Sequence, residues 1–163
     1  PYFDGMSPSA GTIEDVIGNY SGRSRKALAY TQTSKRLFDA AKQPGFSAES
    51  MAPLAALVAT ERFERVGNFK EVMAWDDYVG FLTAWAPTAE WECSFKRVTE
   101  APGLAVLELE ERTAAGEHRS VVNSVSVYEF DADGLITHLD IYLQMPMPDP
   151  EMLKSYDGIE IGG

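Results

Sequence analysis

Val125-Ser126-Val127-Tyr128-Glu129-Phe130-Asp131-Ala132-Asp133-Gly134-Leu135-Ile136 decides the architecture of this chain. Its first half is rich in β-branched and aromatic residues, the composition of a pleated, half-buried strand. Asp131-Ala132-Asp133-Gly134 is then a run of turn formers, and a second extended segment follows it. The two strands of this hairpin are predicted over 118–130 and 135–145. In the second, Leu135, Leu139, Ile141 and Leu143 oppose His138, Asp140, Tyr142 and Gln144, a period-two pattern that gives the strand two unlike faces.

Working backwards from the hairpin, the same period holds as far as Pro87. Leu107 and Leu109 oppose Glu108 and Glu110, and Trp91, Cys93 and Phe95 oppose Glu92, Ser94 and Lys96, with turns at Pro102-Gly103 and Ala115-Gly116-Glu117. Before Pro87 the period changes to that of a helix. A first helix is predicted over 24–42, stopped by Gln43-Pro44-Gly45, and a second is announced by Ser47 as N-cap, with Pro53 near its start. A short strand over 61–66 and a third helix over 74–85 complete the series. Helices first and a strand meander after them make an α+β fold with an antiparallel sheet, because a parallel sheet would need helices between its strands. Residues 1–23 are read as an arm, 24–144 as the domain, and the Pro-rich run from 145 to 163 as a tail.

At 163 residues, 45% of them hydrophobic, the chain is long enough to bury a core of its own. A net charge of -11 repels phosphate backbones and anionic lipid, so neither nucleic acid nor a membrane is an expected partner. The basic residues near the first helix, among them Arg23, Arg25 and Lys26, read as a solvated face. A single cysteine, Cys93, excludes an internal disulfide and makes the reducing cytoplasm the expected location, and no charged-then-apolar leader or membrane-length apolar run is seen. No metal is expected, since His118 and His138 are the only histidines and no Cys/His cluster exists. Phosphate-binding Gly loops and a nucleophile elbow are missing too, so no cofactor is expected.

The order of three helices, a short strand between the second and third, and four long strands resembles the SnoaL-like and ketosteroid-isomerase-like members of the nuclear transport factor 2-like superfamily. The likeness runs over 24–144. It is sharpest in residues 125–136 and the following Leu139-Asp140-Ile141-Tyr142. The resemblance implies a curved sheet wrapped by three N-terminal helices around an apolar conical pocket. It also implies a homodimer formed through the outer sheet face, and cofactor-independent chemistry. Members include isomerases, cyclases, dehydratases, epoxide hydrolases and non-catalytic binders, so the fold does not choose among them.

Such a pocket works by holding an ionisable group among apolar walls, where desolvation favours the protonated form of a carboxylate and makes it a usable acid or base. Four residues are candidates for catalysis. The resemblance implies that Glu64 stands near the carboxylate base of the isomerases; its plain alternative is an exposed partner of Arg62 or Arg65. Glu111 shares a strand face with Leu107 and Leu109, so alternation carries it inward if Leu109 points inward. The resemblance also sets it near an acid of the epoxide-hydrolase-like members. His138 and Asp140 share a face and suit an acid/base pair. If the aliphatic face of their strand lines the cavity, that pair lies instead on the dimer-forming side.

The walls are expected from Trp91, Phe95, Leu107, Leu109, Leu139 and Ile141, with Tyr30, Tyr78, Ser124 and Ser126 as further ligand contacts. Ser126 stands where the isomerases carry a protonated acid, and Leu37 near the place of their helix tyrosine, so steroid isomerisation as such departs from the pattern. Two functions follow. One is a cofactor-independent isomerase, cyclase, dehydratase or hydrolase acting on an apolar cyclic small molecule. The other is a non-catalytic binding or dimeric accessory protein of the same fold.

Overall fold

In the computed structural model, which describes residues 11–146 and Gly158, the hairpin turns around Asp131. Its Oδ1 accepts the backbone N–H groups of Asp133 and Leu135 at 2.9 and 3.0 Å, and its Oδ2 accepts from Arg62 Nη2 at 2.7 Å. Gly134, at φ +78, supplies the left-handed residue that the reversal requires. The Leu135 N–H is the largest reason that the Asp131 carboxyl sits below its ordinary range.

The strands are β1 (Glu64–Val66), β2 (Val72–Ala74), β3 (Glu90–Ala101), β4 (Leu104–Ala115), β5 (His118–Phe130) and β6 (Ile136–Gln144). They form one six-stranded sheet in the order β2-β1-β6-β5-β4-β3. β3 to β6 are the antiparallel meander read from the sequence. The sheet as a whole is mixed, because β1 runs parallel to β6 with Arg65 opposite Leu139. So much chain separates the two that their relative direction is unconstrained by any turn.

The helices are α1 (Ile13–Val16), α2 (Gly22–Ala40), α3 (Ala52–Ala55) and α4 (Trp75–Trp85). α2 and α4 correspond to the first and third helices read from the pattern. The second is shorter than its apolar stripe suggested: a 3-10 turn over Ala48–Met51 leads into a single α-helical turn. Lys42 binds the two long helices together, its Nζ donating to the carbonyls of Phe38 at 3.0 Å, Ala86 at 2.5 Å and Ala89. The later part of the expected arm is structured. Thr12 caps α1, and the Phe95 N–H donates to the Gly11 carbonyl at 2.9 Å. Residues 1–10 of the arm, and the tail from 147 onward apart from Gly158, lie outside the described residues.

Leu28, Leu54, Leu107, Ile136 and Leu139 are wholly buried between the helices and the concave side of the sheet. Each contributes on the order of 1.5–3 kcal/mol by leaving water. Among the described residues no helix is long and apolar enough to cross a membrane.

Candidate functional site

Strand parity sorts the side chains. Leu109 and Glu111 on β4, Ser126 and Tyr128 on β5, and Leu139 and Ile141 on β6 face the helices. Between them and α2 and α4 lies a cavity of about 500 Å³, within the range of small-molecule sites. Tyr30 and Phe38 enter it from α2, and Tyr78 and Trp85 from α4. Phe69, Phe81 and Met145 line it too and remain exposed, so they mark its rim.

Glu111 is the only carboxylate among the described residues that line this cavity. Both of its oxygens are held: Oε2 accepts from Trp91 Nε1 at 3.0 Å and Oε1 from Ser124 Oγ at 2.7 Å. The indole comes from β3 and the hydroxyl from β5, so the meander itself fixes the carboxylate's orientation. Each oxygen keeps a further lone pair.

A second polar corner lies across the cavity. Arg65 stacks on the Tyr78 ring, its guanidinium carbon 5.1 Å from the centroid. Tyr30 and Tyr128 meet edge to face with centroids 5.5 Å apart. Thr31 Oγ1 lies 3.4 Å from the Tyr128 hydroxyl, and the Tyr30 hydroxyl is buried beside that of Tyr78. Burial pushes both phenols well above their ordinary range, so they stay neutral and keep their protons to donate.

Glu64, His138 and Asp140 are brought together elsewhere. His138 Nε2 and Asp140 Oδ1 are 2.9 Å apart, and His138 Nδ1 is 3.5 Å from Glu64 Oε1. None of the three lines the cavity. Leu139 points inward, so its neighbours His138 and Asp140 point outward. Arg65 stands opposite Leu139 and lines the cavity, which turns Glu64 outward as well. The carboxylate and imidazole of this cluster therefore lie on the opposite side of the sheet from Glu111.

Of the expected wall and contact residues, Tyr30, Tyr78, Trp91, Leu109, Ser126, Leu139 and Ile141 line the cavity. Ser124 acts on it through Glu111. Phe95 and Leu107 point inward without reaching the open space: Tyr20 covers Phe95 at a centroid distance of 5.8 Å, and Leu107 is sealed in the core. The pattern reading overlooked Arg65, although Phe63, buried two positions earlier on the same face, marks that face as inward. Cys93 is paired with Glu111 across β3 and β4. Burial pushes its thiol up to about 12, so it is no nucleophile at neutral pH. Among the described residues no three His, Cys, Asp or Glu side chains gather where they could hold a metal.

Several solved structures share this architecture. A proposed polyketide cyclase from Pseudomonas putida KT2440 has a TM-score of 0.56 at 14% identity, over 76% of this chain and 92% of that one. A LEH-like epoxide hydrolase from Mycobacterium tuberculosis has a TM-score of 0.51 at 16% identity, over 69% and 84%. An NTF2-like protein from Exiguobacterium sp. 255-15 has a TM-score of 0.55 at 12% identity, over 71% and 98%. No protein-family model matches the sequence, and no curated protein matches it. At these identities the likeness speaks for the fold: the chain has the nuclear transport factor 2-like fold.

Proposed function

From that fold as premise, we propose that the protein is a cofactor-independent enzyme that takes an apolar cyclic small molecule into its cavity, with Glu111 as general acid/base. The observation that supports this is a single clamped carboxylate among aromatic and aliphatic walls. Glu111 would draw a proton from a carbon or a water held against it, and return it to the carbon or oxygen at which negative charge collects. The Trp91 and Ser124 donors hold it at one angle to the ligand, which lowers the entropic part of the barrier. The neutral Tyr128 phenol, close enough to Glu111 to feel its charge, is suited to donate to the developing oxyanion in place of Thr31. Isomerisation, cyclisation, dehydration and hydration all need no more than these parts.

The His138–Asp140 pair and Glu64 belong, in this reading, to the outer face of a homodimer. Support comes from Tyr142 and Val121, 58% and 52% exposed on that face, which a second copy would cover. A second reading, ligand carriage without turnover, draws on the two protein donors that already occupy the Glu111 oxygens.

Proton abstraction is readable without the natural substrate. Cyclic ketones incubated in D2O, and cyclic epoxides in 18O-labelled water, should gain label faster with the protein than in buffer, and Glu111→Gln should abolish the gain. Labelling that survives in Glu111→Gln would remove Glu111 from the role. Tight binding of such compounds with no labelling would favour the carrier.

A further inference from the structure

The corner opposite Glu111 holds hydrogen-bonding capacity that the protein leaves unused. Among the described residues lining the cavity, Arg65 is the one guanidinium. Its side chain is only 15% exposed, and its Nε is buried without a hydrogen-bond partner. The Tyr30 hydroxyl on α2 is buried too, with the Tyr78 hydroxyl as its neighbour. Buried donors are nearly always paired, because leaving water without a new acceptor is costly. The Arg65 Nε on the cavity wall therefore calls for an acceptor that the chain does not supply.

Glu71 is the carboxylate nearest to Arg65, and it does not fill that place. It approaches Nη1 to 3.7 Å, and its other oxygen is taken by the Phe69 N–H at 2.9 Å. The Tyr78 ring occupies one flat side of the guanidinium, and Nε on its donor edge has no acceptor. A planar, charged fork with an open edge matches a carboxylate, which it can grip through two parallel hydrogen bonds. The protein's overall charge of -11 would otherwise repel such a group, so a cation held inside the cavity is selective for it.

Glu111 fixes the direction. A carboxylate beside it would be repelled, so the acid head belongs at the Arg65 end. In the sheet, β6 and β5 separate β1 from β4, and the β4 residue in line with Arg65, through Leu139 and Tyr128, is Ala105, six positions before Glu111. The acid seat and Glu111 therefore lie about 20 Å or more apart along the sheet, and a ligand that meets both is elongated.

Resting on the reading of the cavity as an apolar small-molecule site, we infer that its ligand is an apolar carboxylic acid, with the carboxylate seated on Arg65 and Tyr30 and the body lying toward Glu111. Arg65 and Tyr30 are thus specificity residues, and Glu111 addresses a ligand atom remote from the acid group.

Calorimetric titration of the whole chain with 4-cyclohexylbutanoic acid and with its methyl ester tests this, with Trp85 and Trp91 emission reporting entry into the cavity. The acid should bind about ten-fold tighter than the ester or more, the worth of a charge-assisted pair. Arg65→Gln should bring the two to equal affinity, Arg65→Lys should keep part of the preference, and Tyr30→Phe should reduce it. Equal binding of acid and ester by the wild-type protein overturns the inference and leaves the apolar cavity standing, whether or not the variants fold. A preference that survives Arg65→Gln overturns it too. If neither compound binds, the small-molecule reading falls with it.

Discussion

The two faces of the sheet carry the same kinds of side chain under opposite conditions. On the concave face Glu111 stands among Trp91, Leu109 and Tyr128, clamped by neutral donors. On the convex face Glu64 and Asp140 flank His138, and the Glu64 side chain is 53% exposed. Richer acid/base chemistry by composition thus lies on the outside, and the poorer set lies among the apolar walls of the cavity. The contrast teaches that the type of residue matters less than its parity. A shift of one position along β6 would exchange the two faces.

The strongest way to break the contrast is to neutralise one acid on each face. Glu111→Gln should lower the label-exchange rate by about 100-fold or more, the usual contribution of a general base. Asp140→Asn should leave the rate within about two-fold. An Asp140→Asn loss equal to that of Glu111→Gln would mean that the outer cluster does the chemistry.

Next in size is packing. Leu139→Ala should cost about 2–5 kcal/mol in urea or thermal unfolding, since the side chain is wholly buried. Tyr142→Ala, three residues later on the other face, should stay within about 0.5 kcal/mol at dilutions where the chain is monomeric. It should weaken self-association measured by sedimentation if the convex face is a dimer surface.

A chemical probe sharpens the inner half. With its thiol pushed up to about 12, Cys93 should be thiolate in only about one molecule in ten thousand at pH 8. Iodoacetamide should leave it unmodified in the folded protein and label it once urea is added, as read by mass spectrometry. Rapid labelling of the folded chain would show that the Cys93 thiol is neither covered nor held protonated.

The smallest effect belongs to the outer half. Arg97 donates to Glu108, with Nη2 at 2.8 Å from Oε1, and this pairing lowers the Glu108 carboxyl from its ordinary value of 4.5. A carboxyl lowered by folding stabilises above its unfolded value and loses that contribution as pH falls through the folded value. Glu108→Gln should therefore lower Tm slightly at pH 7. The gap should close as the pH is taken below the carboxylate range, and also in high salt.

Much of this architecture could be read from local pattern. β5 spans the predicted 118–130 because turn formers bound it at both ends and its residues favour strands throughout. α2 and α4 were legible from their apolar spacing and from Pro44 and Pro87. β2 was not, because Val72-Met73-Ala74 is too short to carry a period, and it exists only through its pairing with β1. The parallel contact of β1 with β6 is a long-range pairing that no local signal encodes. At the site, alternation gave the companions of Glu111 but could not say which of the inward residues front an open space. Phe95 and Leu107 face the right way and are merely covered, one by Tyr20 from the arm. His138 and Asp140 were legible as a pair, and only the packed position of Leu139 decides on which side of the sheet they stand.

The parallel seam between β1 and β6 also sets an order of events during synthesis. While the chain is being made, β1 has only the three-residue β2 beside it, and its other edge is bare. The wall that carries Leu139 and Ile141 does not yet exist, so the cavity that Tyr30 and Tyr78 enter stays open on that side. The seam itself cannot close until translation passes about residue 141, and closure then joins segments more than seventy positions apart, a slow kind of contact. A truncated chain ending before β6 should therefore leave that side of the cavity exposed and aggregate more readily than the full chain.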